Sequence, residues 1–156
     1  FIIHPSSFGF TLVEVIIVLV IIGIASGLVG VWINRGSGNL EIRKFTKDVS
    51  ATLRYARTRS VSEKKIYCLV IDKGEQKYRL YAEDTDYTKI DLVADKPIPE
   101  ELQMTLRGSD EESPHVEFFP RGNSSGGVLE IVREDGAGYF IRINRITGKV
   151  DVEKAE

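Results

Sequence analysis

From Val15 to Ile33 the chain carries no charged residue, which limits what its N-terminal part can become. At about 1.5 Å per residue this run makes roughly 28 Å of helix, close to the roughly 30 Å hydrocarbon core of a bilayer. Apolar character begins at Phe10, and Glu14 is the one carboxylate within it. A buried helix of a soluble core usually needs only about 10–14 apolar residues. Residues 10–35 are therefore expected to form a single membrane-inserting helix. A cleavable secretory signal is the competing reading. Its apolar region spans only about 7–15 residues, and Glu14 is poorly placed in it.

Glu14 needs an explanation. An ionised carboxylate at mid-bilayer costs about 2.5–3.5 kcal/mol and usually has a partner. Near the helix end it can snorkel to the interface at lower cost, or it can await a positive charge from another chain. No Lys or Arg precedes Arg35, so its own helix offers no partner nearby. The first basic residues are Arg35, Arg43, Lys44 and Lys47, on the far side of the apolar run. In the orientation implied below they lie outside the cytoplasm, against the positive-inside tendency.

Gly9-Phe10-Thr11-Leu12-Val13-Glu14, set before the apolar run, resembles the processing site of type IV pilin-like precursors. The resemblance implies that residues 1–9 are a leader removed by a prepilin peptidase after Gly9. Phe10 then becomes the N-methylated first residue. It also implies that Glu14 pairs with the Phe10 ammonium of an adjacent subunit, a charge that methylation retains. A dry helix bundle would strengthen that attraction. Leaders of this family are usually basic, whereas residues 1–9 carry only His4 and no initiator Met. A leader trimmed at its front is the expectation.

Beyond the helix, roughly 120 residues remain, enough for one domain with its own core. The net charge is −2 and the pI about 5.8. Neither a globally basic chain nor an acidic solvating tail is indicated. The single cysteine, Cys68, excludes an intrachain disulfide. It lies in Ile66-Tyr67-Cys68-Leu69-Val70-Ile71, where buried packing in a strand is expected rather than thiol chemistry.

Gly36-Ser37-Gly38-Asn39 interrupts the helical pattern. Two glycines cost roughly 2 kcal/mol of propensity against alanine, so a kink or break is expected there. Ile42, Phe45, Val49, Leu53 and Ala56 then recur at three- and four-residue steps, predicting an amphipathic helix over residues 41–62 that packs on a sheet. Its polar positions, including Arg43, Lys44, Lys47, Asp48, Arg54, Arg57 and Arg59, form a solvated face by default. Strands are predicted at residues 66–72, 77–83, 89–93, 102–107, 116–119, 127–133, 139–144 and 149–152. The first two make a hairpin about Lys73-Gly74-Glu75-Gln76. Tyr78, Leu80 and Ala82 share one face of the second, with Arg79, Tyr81 and Glu83 on the other. Asp95-Lys96-Pro97-Ile98-Pro99, residues 108–114 and residues 121–126 read as loops. Short strands closely spaced by turns predict two packed antiparallel sheets.

Three segments extend the resemblance. Leu53-Arg54-Tyr55-Ala56-Arg57-Thr58-Arg59, then Phe118-Phe119-Pro120-Arg121-Gly122-Asn123 with Gly126-Gly127, then Ile146-Thr147-Gly148-Lys149-Val150 are similar to the GspH/FimT group of pilin-like proteins. Read from the residues alone, the middle segment is core plus turn, with Phe118 and Phe119 on opposite faces, Pro120 ending the strand and Gly122 freeing the loop. The resemblance implies an α+β pilin-like fold. Residues 1–9 would be leader, 10–35 the transmembrane and filament helix, 36–65 a kink and amphipathic helix, and 66–156 a periplasmic two-sheet β domain.

Catalysis is not expected. The chain has two histidines, His4 in the leader and His115 in a predicted loop, and with Cys68 they give no zinc spacing or Cys/His nucleophile pattern. No Gly-rich stretch has phosphate-loop flanks. Asp110, Glu111 and Glu112 lack the alternation of a calcium loop. No cofactor, metal or small-molecule substrate is expected. The resemblance implies an H-type minor pseudopilin of type II secretion, anchored in the inner membrane with its C-terminal domain in the periplasm and joining the pseudopilus after processing. The implied partners are other pseudopilins in filament and tip complex, the prepilin peptidase, the inner-membrane assembly platform and membrane lipid. The alternatives are a FimT-type minor type IV pilin in pilus assembly or DNA uptake, and a membrane-tethered periplasmic binding module. Nucleic acid is disfavoured: Arg54, Arg57 and Arg59 lie between Asp48 and Glu63, and Arg142, Arg145 and Lys149 precede Asp151, Glu153 and Glu156.

Overall fold

A computed structural model describes residues 11–86, 89–107 and 114–155, without the side chains of residues 27–38. One helix, α1 (Leu12–Glu63), is followed by eight strands among the described residues. Residues 1–38 and residues 39–156 form two compact units. In the first, the helix exposes an apolar surface that includes Leu12, Ile16, Leu19 and Ile24. Among the described residues no helix is long and apolar enough to cross a membrane. The expected span, residues 10–35, lies only partly within them, since Phe10 and the side chains from residue 27 onward fall outside. Helical backbone continues through Gly36-Ser37-Gly38-Asn39, so the expected break is absent. Extending a helix adds one hydrogen bond per residue fixed, which offsets the glycine penalty once both flanks are helical.

In the second unit the predicted apolar stripe is the buried face of the helix. Ile42, Val49, Leu53 and Ala56 are at most 1% exposed, and Phe45 is buried with them. Full burial of each large aliphatic side chain contributes about 1.5–3 kcal/mol. The helix ends where Lys64 turns left-handed, with φ 58°. The strands are β1 (Ile66–Asp72), β2 (Lys77–Glu83), β3 (Ile90–Pro97), β4 (Leu102–Leu106), β5 (His115–Phe118), β6 (Gly127–Arg133), β7 (Gly138–Ile143) and β8 (Val150–Lys154). They form two antiparallel four-stranded sheets, ordered β3-β2-β1-β5 and β4-β6-β7-β8. Inward residues of both sheets, among them Leu69, Leu80, Phe118, Leu129 and Ile141, share one core with the helix stripe. Tyr78, Leu80 and Ala82 are buried on one face of β2 while Arg79, Tyr81 and Glu83 are half-buried on the other.

Two loop expectations are corrected. Asp95-Lys96-Pro97 belongs to β3, pairing with Arg79, Tyr78 and Lys77. A proline is tolerated there because β3 is an edge strand and Pro97 its last residue. Side-chain ties hold the segment: Arg79 pairs with Asp95 at 3.6 Å and Lys96 with Asp48 at 2.8 Å. His115 opens β5 opposite Val70 rather than lying in a loop. Phe119 leaves the strand, its N–H donating instead to the Asn123 carbonyl. The register of β2 and β3 shifts between Leu80 and Tyr81, so β3 carries a bulge. The far edge of β5 is covered, with Ser124 bridged to Phe118 and the Ser125 N–H donating to the Glu117 carbonyl.

Candidate functional site: the helix start and a three-way junction

Glu14 sits in the first turn of α1. Its N–H donates to Thr11 Oγ1 at 3.3 Å and to the Thr11 carbonyl at 3.0 Å. Thr11 thus caps the helix, and Thr11-Leu12-Val13-Glu14 has the spacing of a capping box. That signal is in the sequence, and it gives the Glu14 position a local role at the positive end of the helix dipole. The other two predicted site residues, Gly9 and Phe10, lie outside the described residues.

In the β domain, the three segments singled out in the sequence meet at one junction. Arg57 on the helix donates through Nε to the Thr147 carbonyl at 2.9 Å, and Arg54 through Nη2 to the Val150 carbonyl at 3.3 Å. Ser60, fully buried, donates to the carbonyls of Arg57 and Phe119. Gly148 has φ +61°, and a Cβ there would stand 2.5 Å from the Gly122 carbonyl oxygen and 3.0 Å from Arg57 Nε. Only glycine fits both the left-handed backbone and that contact. Buried Ser124 ties the two loops together: its N–H reaches the Arg145 carbonyl and its hydroxyl the Asn144 carbonyl, both at 3.0 Å. Phe118 is fully buried, in line with the core-plus-turn reading. The convergence itself was not legible in the sequence, because its partners lie up to 96 positions apart.

The basic residues of the helix are partly consumed by these contacts. Arg59 pairs with Glu63 at 3.0 Å, and farther along the chain Arg142 pairs with Glu153 and Lys149 with Asp151. At the other flank Asp48 receives Lys96 and the Tyr78 hydroxyl. Lys96, first, and then Tyr78 hold its carboxyl below the usual range against opposing desolvation. Cys68 is buried, and desolvation pushes its thiol up to about 12, with Glu117 and Glu83 adding to the shift. That is opposite to what a reactive thiolate requires. Among the described residues no three His, Cys, Asp or Glu side chains are grouped to hold a metal ion. Asp110, Glu111 and Glu112 lie outside them.

Residues 5–30 match the family model described as the prokaryotic N-terminal methylation motif. The type II secretion system protein H of Xanthomonas campestris pv. campestris is 23% identical over 91% of this chain and 80% of its own length. The protein of the same name from Aeromonas hydrophila is 27% identical over 89% of this chain and 87% of its own length. Among solved structures, the minor pseudopilin EpsH from the type 2 secretion system of Vibrio cholerae superposes with TM-score 0.62 at 10% identity, covering 73% of this chain and 97% of that one. The type IV minor pilin FimU of Pseudomonas aeruginosa superposes with TM-score 0.59 at 17% identity, covering 74% and 90%. The chain thus carries the N-terminal methylation motif and shares the pilin-like two-sheet fold of EpsH and FimU.

Proposed function

We propose that this chain is a minor pseudopilin of a type II secretion system, a structural subunit of the pseudopilus that helps export folded proteins across the outer membrane. The observation that carries this reading is the methylation motif at the N-terminus together with similarity to type II secretion system protein H over about nine-tenths of the chain. In this reading a prepilin peptidase cuts after Gly9 and Phe10 is N-methylated. The apolar helix first anchors the subunit in the inner membrane, with the β domain in the periplasm, and then enters the filament core. One apolar surface serves both, since lipid tails and neighbouring helices satisfy it equally. Glu14 pairs with the Phe10 ammonium of the next subunit. The role is architectural rather than catalytic.

The test is Glu14→Leu in the full chain, expressed in its own host. Membrane insertion should hold or improve, because an expensive charge is removed, while crosslinking to other pseudopilins and secretion should fall. Normal crosslinking and secretion would assign Glu14 to helix capping and interface snorkelling alone. The likeness to FimU keeps a minor type IV pilin as a second reading. Copurification with pilus components in place of pseudopilins would select it. A chain that is never found with either would be a tethered periplasmic binding module.

A further inference from the structure

The turn between β7 and β8 presents Ile146 with 83% of its surface exposed, more than any other large apolar side chain described. An isolated exposed apolar residue is ordinary, but the turn beneath this one is fixed at every step. Asn144 Oδ1 accepts the N–H groups of both Ile146 and Thr147 at 2.9 Å, and the Asn144 carbonyl accepts that of Gly148 at 2.8 Å. Arg57 holds the Thr147 carbonyl, and Ser124 holds that of Arg145. Ordering cost on docking is therefore largely removed before any partner arrives. Arg145, next to Ile146 in the chain, and Arg121, next to the Gly122 whose carbonyl lies against Gly148 in the same junction, are both exposed. Among the described residues neither has an ion pair, whereas Arg59, Arg133, Arg142 and Lys149 each have one.

We propose that this junction docks a protein partner that offers an apolar socket rimmed by carboxylates. Ile146 would fill the socket, and Arg121 and Arg145 would meet the rim. A rigid apolar knob flanked by uncompensated cations matches the apolar-centre, polar-rim anatomy of protein interfaces. Nucleic acid is a poorer fit. Two cations release too few counterions for useful affinity at physiological salt, and phosphate gives Ile146 nothing to bury against. A lipid surface is likewise weakly served by two cations. The proposal rests on the pseudopilin reading only for where the partner is sought.

The test places the photocrosslinker p-benzoylphenylalanine at position 146 of the full chain in its own host. A second chain carries it at Leu92, an exposed control on β3, and a third at Val18 on the apolar helix. The expected result is a discrete protein adduct from position 146, absent from position 92, whose mapped site on the partner is flanked by Asp or Glu. Combining Arg121→Glu with Arg145→Glu, both at exposed positions, should lower its yield about tenfold. A nuclease-sensitive adduct, a lipid adduct, insensitivity to the charge reversal, or no adduct beyond the position 92 control would overturn the proposal. Adducts at position 18 without one at 146 refute the docking surface and leave the filament reading standing. An adduct at 146 mapped beside carboxylates, with none at 18, supports the docking surface and counts against the filament. Silence at both positions refutes both.

Discussion

Replacing Gly148 by alanine probes the junction most directly, because the structure separates two costs. The first is backbone strain: an L side chain at φ +61° costs about 1–2 kcal/mol. The second is steric. The new Cβ would stand 2.5 Å from the Gly122 carbonyl oxygen and 3.0 Å from Arg57 Nε. Relief requires the loop to shift and the Arg57–Thr147 hydrogen bond to loosen. A hydrogen bond from a charged donor contributes about 1.5–3 kcal/mol when intact, so the whole substitution should cost about 3–5 kcal/mol. Gly136 supplies the control. Its φ is +85°, but nothing lies within 4 Å of a Cβ placed there, so Gly136→Ala should show only the strain of about 1–2 kcal/mol. The assay is urea unfolding of the fragment from Asn39, which holds the entire core. With a slope of about 1–3 kcal/mol per molar urea, the extra contact cost of about 1.5–3 kcal/mol should separate the two midpoints by about 0.5–3 M. Equal midpoints for Gly148→Ala and Gly136→Ala would refute the argument that the junction is closed by contact.

Asp48 has a carboxyl held below its ordinary range by Lys96 and Tyr78, so the unfolded chain binds more protons near its own pKa. Its stabilisation is present above about pH 4 and lost as pH falls through the lowered folded value. Asp48→Asn should flatten the acid limb of the stability curve, and an unchanged limb would count against the pairing. Cys68, with its thiol pushed up to about 12, should react with iodoacetamide at pH 8 only in denaturant; native labelling at the rate of a free thiol would contradict its burial. With Arg59, Arg142 and Lys149 engaged by acids, the same fragment should bind double-stranded DNA no tighter than about 10⁻⁴ M at physiological salt. A low-micromolar, salt-sensitive complex lost on Arg142→Ala with Arg145→Ala would favour the FimT-type reading.

Periodicity carried most of the fold. Ile42, Phe45, Val49, Leu53 and Ala56 mark a helix stripe because burial repeats every three or four residues, and they are all buried. Alternation in β2 likewise revealed which residues face the core. What escaped depends on partners distant in sequence. Asp95-Lys96-Pro97 reads as a loop by composition, and its strand pairing comes from β2 and from Asp48 on the helix. The helix through Gly36–Asn39 follows from cooperative propagation, which residue propensities summed locally do not contain. At the junction, Gly122 and Gly148 each announce a turn, but their mutual contact is a property of the assembled sheets. Thr11 is the exception, since its capping role was readable three positions before Glu14.

The edge formed by β3 bears on how closely copies of this domain can be crowded. An uncovered strand is a template on which another chain can add itself, and the hazard grows with local concentration. β3 meets this with a bulge, with Asp91, Asp95 and Lys96 along its length, and with a terminal proline that has no N–H to donate. Exposed Ile90 and Leu92 are thus carried on a strand poorly suited to recruiting a neighbour. Domains with such a border tolerate dense side-by-side arrangement without fusing into a continuous sheet, so their contacts can remain specific and reversible.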